Sequence, residues 1–178
     1  MPEKRLFTTS VTEKSATDLE GVGTLRWKND YLYRWVKNST GDDAVVGDLV
    51  TYQPTKGSSF YEEVIQPVTA TLNHLAGVWT SAPEDGQYGW IMVKGYYASV
   101  QIWATDTTQA VGLIMVPQNA QDYGKSAANF LASVAQTVAS NAAVSVQLPV
   151  AYVELLETVA TTTAQTVAAG CKVNCIAV

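Results

Sequence analysis

The chain has 178 residues, of which 47% are hydrophobic, and it carries a net charge of −5. This length and hydrophobic content allow one ordinary domain with a buried core, so disorder is excluded as the default state. No basic stripe is present to displace counterions from phosphates, and we expect no nucleic-acid partner. No apolar run reaches the ~18 residues of a membrane span, and Met1–Thr9 lacks the apolar stretch of a secretory signal. We therefore expect no membrane partner and synthesis in a cytoplasm.

Charged residues are few and unevenly distributed. They make up 15% of the chain, against a typical value of about 25%. Only six of them lie in 99–178, compared with 21 in 1–98. A free monomer usually carries more surface charge than this second half offers. Two explanations remain open: a neutral surface rich in Ser, Thr, Asn and Gln, or partial coverage by partner proteins.

Residues 1–20 are predicted to form an extended N-terminal arm. They are polar, rich in threonine and mixed in charge, with few apolar side chains to bury. An arm of this kind is either disordered or docked onto a neighbour.

Residues 21–178 are predicted to form a single β-rich domain. Asn29-Asp30 is a turn-type dipeptide between Thr24–Lys28 and Tyr31–Lys37, and this arrangement indicates a β-hairpin. The strands predicted next in the chain are Leu49–Gln53, Phe60–Thr71 with a break at Pro67, Leu75–Thr80, Tyr88–Lys94 and Tyr96–Ala104, the last two hinged at Gly95.

The second half of the chain is less regular. The apolar spacing of Ser126–Ser140 predicts one short helix. Strands are predicted at Val111–Val116, Val144–Leu148, Ala151–Leu156 and Val173–Val178, while Thr158–Ala169 stays unassigned. No internal repeat is apparent. Many short strands with Gly and Pro between them predict a mainly β fold, a small barrel or sandwich of short antiparallel strands.

The sequence offers no recognisable catalytic or metal-binding arrangement. Its single histidine, His74, is interpreted as a hydrogen-bonded structural residue. Neighbouring acidic residues such as Glu62-Glu63 point to opposite faces of a strand, which does not favour a carboxylate pair. We therefore expect a non-enzymatic protein with no catalytic residue, no cofactor and no metal ligand. A hydrolase with two carboxylates spaced across a cleft remains an open alternative.

The two cysteines, Cys171 and Cys175, are predicted to be buried free thiols. In an extended strand their Cα atoms would lie roughly 13 Å apart at ~3.3 Å per residue. A disulfide needs its Cα atoms within about 7 Å. Two cysteines and one distant histidine also do not make a zinc site.

The chain is rich in aromatic residues, with five Trp and nine Tyr. Such side chains most often fill a β core or an interface. The alternative is a glycan site, because flat rings stack on sugars.

Several short motifs in 21–103 follow one another in an order that resembles a known protein family. The motifs are Gly23-Thr-Leu-Arg-Trp, Tyr31-Leu-Tyr-Arg-Trp-Val, Gly47-Asp-Leu-Val, His74-Leu-Ala-Gly-Val and Gly86-Gln-Tyr-Gly-Trp-Ile, followed by Lys94-Gly. This order resembles the capsid decoration proteins of tailed bacteriophages, also called cement or head-stabilisation proteins. The resemblance covers slightly under half of the chain, and the 105–178 region is a charge-poor extension and a candidate interface subdomain.

The resemblance implies a structural protein of the virion, made in the cytoplasm of the host bacterium. It would dock on the outer surface of the capsid and tie neighbouring capsomers together. The implied partners are the major capsid protein and further copies of the same chain, as a trimer or dimer. The alternatives are a tail or fibre component, and a carbohydrate-binding module that uses surface Trp and Tyr residues.

Six residues are predicted to form the protein interface. Leu6 and Phe7 would anchor the N-terminal arm. The exposed members of a group in the first hairpin would contact the capsid, and this group comprises Trp27, Tyr31, Tyr33 and Trp35.

Overall fold

A computed structural model describes residues 6–67, 74–104, 111–112, 114–118, 121–126, 152–159 and 165–175. The regular structure of this part of the chain consists of eleven strands and one 3-10 turn, Pro54–Ser59. The prediction of a mainly β fold is confirmed.

The strands are short except for one. In chain order they are β1 Lys14–Ser15, β2 Leu25–Lys28, β3 Tyr31–Asn38, β4 Leu49–Tyr52, β5 Glu63–Ile65, β6 Leu75–Trp79, β7 Tyr88–Ala104, β8 Ile114–Gln118, β9 Gln121–Ser126, β10 Tyr152–Leu155 and β11 Gln165–Asn174.

The predicted hairpin forms from β2 and β3. Asn29 has a φ of 54°, the positive value that the favoured two-residue hairpin turns require at their first central position. Lys28 therefore lies opposite Tyr31, and the register brings Leu25 opposite Arg34.

The central element is β7, a single strand of 17 residues. The prediction of two strands hinged at Gly95 is wrong, because the strand continues through this glycine. A side chain at Gly95 would place its Cβ only 2.2 Å from the ring of Tyr31. The glycine therefore provides space for Tyr31 and does not interrupt the strand.

All eleven strands belong to one sheet. The sheet as a whole is not a closed barrel, and β2 pairs only with β3 among the described strands. Most pairs are antiparallel, as predicted. Two described pairs, β3 with β5 and β7 with β9, are parallel.

The buried side chains form two apolar clusters. Trp35 and Trp90 belong to the first, and their neighbours Val36 and Ile91 belong to the second. This division follows from the two-residue period of a strand, which sends successive side chains to opposite faces. Trp35, Trp79 and Trp90 are fully buried, so the prediction that aromatic residues fill a β core is confirmed for these three.

The second half differs in part from its prediction. The strand β10 agrees with the predicted Ala151–Leu156, and β8 continues through Pro117. The predicted helix Ser126–Ser140 is not seen at its first residue, because Ser126 ends β9. The rest of that helix and the predicted strand Val144–Leu148 lie outside the described residues. The last strand begins in the unassigned segment, at Gln165.

The N-terminal segment does not behave as an arm from Phe7 onwards. The Phe7 ring lies edge-on to the indole of Trp90, with 5.9 Å between ring centroids. The backbone oxygen of Val11 accepts a hydrogen bond of 2.5 Å from the Thr80 hydroxyl. Further along, β1 pairs with β7. This part of the predicted arm 1–20 is therefore packed against its own domain.

Glu20 fastens this segment with one carboxylate oxygen. Its Oε1 accepts hydrogen bonds from the backbone N–H groups of Thr8 and Thr9, at 2.8 and 2.7 Å. The two threonine hydroxyls donate to the same oxygen. Thr9 Oγ1 in turn accepts a hydrogen bond of 2.9 Å from Trp90 Nε1. The hydrophobic pattern could not reveal this attachment, because polar side chains make it.

The Glu20 carboxyl has a pKa below its ordinary value of 4.5. Burial raises this pKa, since the residue is only 3% exposed, but the hydrogen bonds from Thr9 and Thr8 lower it more. The unfolded chain therefore binds more protons than the folded chain in this acidic range. The stabilisation from Glu20 is complete above pH 4.5 and is lost as the pH falls through the folded-state pKa.

We expect Glu20→Ala to lower the free energy of unfolding by roughly 2–3 kcal/mol at pH 7, because the buried N–H and hydroxyl groups of Thr9 lose their acceptor. Glu20→Gln retains an acceptor and should cost less. Urea unfolding followed by circular dichroism would measure both losses. The matched control is Glu84→Gln, which affects an exposed ion pair with Lys14 and should change little. An equally small loss for Glu20→Ala would contradict the role of Glu20.

Candidate interaction surface

The two predicted arm anchors have different surroundings. Leu6 is 83% exposed. Phe7 is half-buried, and the guanidinium of Arg26 lies 4.8 Å from its ring centroid. The Phe7 ring also contacts the indole of Trp90, so Phe7 already packs against residues of its own chain. Of these two residues, Leu6 is the one that presents most of its side chain to the outside.

The four predicted contact residues of the hairpin differ in their exposure to solvent. Trp27 is 60% exposed, whereas Tyr33 and Trp35 are buried in the first apolar cluster. Tyr31 is half-buried and packs against the same cluster. Tyr33 and Trp35 are therefore not among the exposed members of the group. They share one face of β3, and that face is covered by the core.

Trp27 has an apolar neighbour on the same face of β2. Leu25 lies two residues before it and is 47% exposed. The backbone of Trp35 donates a hydrogen bond of 2.9 Å to the oxygen of Thr24. Since inward and outward hydrogen-bonding groups alternate along an antiparallel strand, the N–H and C=O groups of Leu25 and Trp27 point away from β3. Both residues thus offer side chains and backbone groups at one edge of the sheet.

The face that carries Leu25 and Trp27 continues from β2 onto the neighbouring strand and loop. Arg34 lies directly opposite Leu25. Its guanidinium lies 4.3 Å from the ring centroid of Tyr61, and its Nη1 donates a hydrogen bond to the Tyr52 hydroxyl. Tyr61 is itself 37% exposed. On the other side, Lys94 Nζ lies 6.0 Å from the ring centroid of Trp27.

We call this set the hairpin surface. It combines two exposed aromatic rings, one exposed leucine and two cationic groups, and its members are Leu25, Trp27, Arg34, Tyr61 and Lys94. Trp, Tyr and Arg are the residue types most enriched among the energetically dominant contacts of protein interfaces. The surface therefore has the composition of a protein-binding site.

The charge of the hairpin is opposite to that of the whole chain. Residues 25–37 contain four basic side chains and one acidic one, although the net charge of the chain is −5. Such a local charge favours a partner surface with acidic groups around an apolar centre.

Sequence reasoning found Trp27 but missed the other four members. The alternation of Leu25 and Trp27 could have identified Leu25. The stacking of Arg34 on Tyr61 depends on how β3 meets the loop before β5, and the approach of Lys94 depends on the register of β3 with β7. Neither contact has a signal in the local sequence.

The two thiols are enclosed by the fold. Cys171 and Cys175 are buried free thiols, as predicted. Burial raises the pKa of Cys171 to about 12, with a further contribution from the charge of Glu157. The thiol is therefore protonated at neutral pH. No group of three His, Cys, Asp or Glu side chains that could hold a metal ion occurs in the described residues.

His74 packs against an aromatic neighbour. Its ring lies edge-on to Phe60, with 5.6 Å between centroids. Its Nδ1 is buried and has no hydrogen-bond partner in the part of the chain that the structure describes. The expected hydrogen bond of its side chain is not found at this nitrogen.

No family model matches this chain, and comparisons with curated proteins and with solved structures return no significant match. None of the helices in the described ranges is both long and apolar enough to cross a membrane.

Proposed function

We propose that this protein is a non-enzymatic structural component of a bacteriophage virion, which binds the outer surface of the capsid and stabilises it by bridging capsomers. The observation that carries the proposal is the hairpin surface, an exposed aromatic and basic face at one edge of the sheet. The order of motifs in 21–103, which resembles capsid decoration proteins, supports the same role. The proposed partners are the major capsid protein and further copies of this chain, as a dimer or trimer.

Trp27 is the proposed centre of the contact. Its indole is 60% exposed, so binding would remove a large apolar area from water. Leu25 shares its face of β2, and its outward backbone groups can hydrogen-bond to an extended segment of the partner. The guanidinium of Arg34 packs against the rings of Tyr61 and Tyr52, which also contact each other. This packing reduces the entropy lost when Arg34 pairs with a carboxylate.

Weak individual contacts would suffice for this function. A capsid presents many copies of its subunit, and a decorating oligomer engages several of them at once. Linked contacts increase the overall affinity by factors of about 10² to 10⁴ without any new interaction. Bridging of capsomers then follows from the oligomer.

The test is binding of the purified chain to capsids that lack it, measured by co-sedimentation over a range of concentrations. We expect Trp27→Ala to weaken binding about 30-fold, the equivalent of roughly 2 kcal/mol for a dominant interface residue. The thermal unfolding midpoint should stay nearly unchanged, because the indole is exposed.

The matched control for this test is Val45→Ala. Val45 is also an exposed apolar residue, but it lies outside the hairpin surface, and its replacement should leave the affinity unaltered. Wild-type affinity of Trp27→Ala would rule out the hairpin surface as the contact. Failure of the unmodified chain to bind capsids would rule out the proposed function itself.

A tail or fibre component is the second structural candidate, and copy number separates it from a decoration protein. Mass spectrometry of the purified particle should give a ratio to the major capsid protein near one, or a simple fraction of it. A handful of copies per particle would place the protein in the tail or fibre instead.

The burial of the tryptophans disfavours a carbohydrate-binding module. Trp35, Trp79 and Trp90 are fully buried and cannot stack on a sugar, which leaves Trp27 as the exposed indole among the tryptophan side chains described. A change in tryptophan fluorescence on adding glycans would be needed to favour this alternative.

A further inference from the structure

Two sets of five strands in this sheet have the same arrangement. The first unit consists of β3, β4, β5, β6 and the first half of β7, residues 88–94. The second unit consists of the second half of β7, residues 95–104, with β8, β9, β10 and β11. We infer that the chain contains two copies of one five-strand unit, joined through the shared strand β7.

The pairing pattern of the first unit recurs in the second. In the first unit β3 pairs with β7, β7 with β6, β6 with β4, β4 with β5, and β5 with β3. In the second unit β7 pairs with β11, β11 with β10, β10 with β8, β8 with β9, and β9 with β7. The first four pairs of each unit are antiparallel and the fifth is parallel. The two parallel pairs thus occupy equivalent places.

The equivalence extends to single hydrogen bonds. Gly47 and Gly112 both have left-handed backbones, with φ of 96° and 85°. The Gly47 N–H donates to the oxygen of Trp79, the last residue of β6, at 2.9 Å. The Gly112 N–H donates to the oxygen of Leu155, the last residue of β10, at 2.8 Å.

The residue after each acceptor makes a second backbone hydrogen bond, and this bond is also equivalent in the two units. Thr80 follows Trp79 and donates its N–H to the oxygen of Trp90 at 3.1 Å. Leu156 follows Leu155 and donates its N–H to the oxygen of Gly170 at 2.9 Å. Both bonds run from the end of the fourth strand of a unit to its fifth strand.

The strand registers agree with these bonds. Two residues after Gly47, Leu49 lies opposite Val78. Two residues after Gly112, Ile114 lies opposite Glu154. Val78 and Glu154 each immediately precede the residue that accepts the glycine bond, so the two units have the same register at this pair.

The parallel pairs provide a second, separate alignment of the two units. In the first unit Val64 lies between Asn38 on one side and Tyr52 on the other. In the second unit Gly124 lies between Ile102 and Pro117. Tyr52 stands five residues after Gly47, and Pro117 stands five residues after Gly112. The glycine hydrogen bonds and the parallel pairs therefore match the same residues of one unit with the same residues of the other.

Side-chain burial supports the inference independently of the backbone. We counted along the strands from the residues matched by the glycine hydrogen bonds and the parallel pairs. This gives four pairs of equivalent residues that point into the centre of their unit. In each pair both side chains are at most 2% exposed, and the pairs are Val36 with Val100, Trp79 with Leu155, Ile91 with Cys171 and Val93 with Val173. The first-unit members belong to the second apolar cluster, and the second-unit members belong to the first.

Most equivalent residues differ in type, which explains why no repeat is apparent in the sequence. The glycines at 47 and 112 and two of the four interior pairs are identical. The other interior pairs replace Trp79 by Leu155 and Ile91 by Cys171, so the second unit is filled by smaller side chains. Hydrogen bonding and burial are retained where residue identity is not.

Engineered disulfides test the shared register in the full chain. With Cys171 and Cys175 replaced by alanine, we expect Leu49→Cys with Val78→Cys to cross-link on mild oxidation. The equivalent pair Ile114→Cys with Glu154→Cys should cross-link as readily, because residues directly opposite in a sheet have adjacent Cβ atoms.

The matched controls are shifted by one residue, Val50→Cys with Val78→Cys and Met115→Cys with Glu154→Cys. A shift of one residue reverses the face of a strand, so neither shifted pair should cross-link. Peptide mass spectrometry without reduction would identify each bond. A second-unit pair that fails, or a shifted pair that forms in its place, would overturn the inference.

Amide hydrogen exchange of the unmodified chain provides a check that needs no substitution. The equivalent N–H groups of Gly47 and Gly112, and those of Thr80 and Leu156, should all be protected from exchange. Rapid exchange at Gly112 and Leu156 alone would contradict the duplicated unit. This inference does not depend on the proposed function, since capsid binding enters neither test.

Discussion

Trp79→Ala is expected to lower the free energy of unfolding by about 3–5 kcal/mol, the usual cost of removing a large aromatic side chain from a core. Trp79 is completely buried in the second apolar cluster. Its Nε1 has no hydrogen-bond partner in the described residues. The loss should therefore come from apolar contacts and the cavity left behind, and not from a broken hydrogen bond.

Urea unfolding followed by circular dichroism would measure this loss, and two variants serve as controls. Trp27→Ala removes the same side chain from an exposed position and should cost less than about 1 kcal/mol. Leu155→Ala removes the equivalent residue of the second unit and should cost about 2–5 kcal/mol. A loss below about 1 kcal/mol for Trp79→Ala would show that this indole is not part of a packed core.

Gly47→Ala is expected to lower the free energy of unfolding by about 3 kcal/mol, from backbone strain and a steric clash together. At a φ of 96° an L-residue is strained. The added Cβ would also lie only 2.0 Å from the backbone oxygen of Ser99. Because that oxygen belongs to β7, the clash cannot be relieved by rotating a side chain.

Gly112→Ala separates these two contributions. Gly112 has a similar φ of 85°, but a Cβ there would meet no atom of the described residues within 4 Å. Only the strain remains, so the expected loss is about 1–2 kcal/mol. Thermal and urea unfolding of both variants would give the difference. Equal losses would mean that the loop before β4 moves away from Ser99 and that the close approach is not needed for folding.

Local patterns were sufficient to predict the strands with clear alternation and clear ends. The Asn29-Asp30 turn identified β2 and β3, and the glycine and proline residues around β4 marked its ends. These signals lie within a few residues of the elements that they define. The same reasoning failed at Gly95, because a glycine that interrupts a strand and one that makes room for a ring look alike in sequence.

The prediction of the N-terminal arm failed for a different physical reason. Thr8, Thr9 and Glu20 are polar, and hydrophobic patterning assigns polar residues to the surface. Here they hydrogen-bond to one another, with Thr9 and Glu20 buried, and they hold Phe7 against Trp90. Hydrogen-bond partners that are eleven or twelve residues apart have no periodic signal.

The hairpin surface was only partly predictable. The exposure of Trp27 follows from its position on an edge strand, but sequence alone could not separate it from Tyr33 and Trp35, which are buried. Which face of β3 is buried depends on the strands that cover it, above all β7. The register between distant strands is a property of the whole sheet, and it also determines the contacts of Arg34 and Lys94.

The shared strand β7 has a consequence for how this protein can change in evolution. A single residue inserted or deleted near Gly95 would turn every later side chain of the strand to the opposite face. Val100 and Ile102, now fully buried, would then point outward, and the centre of the second unit would be lost. Loops between the strands can vary in length without this effect. We therefore expect natural length variation among related chains to be confined to the loops and to be absent from the middle of β7.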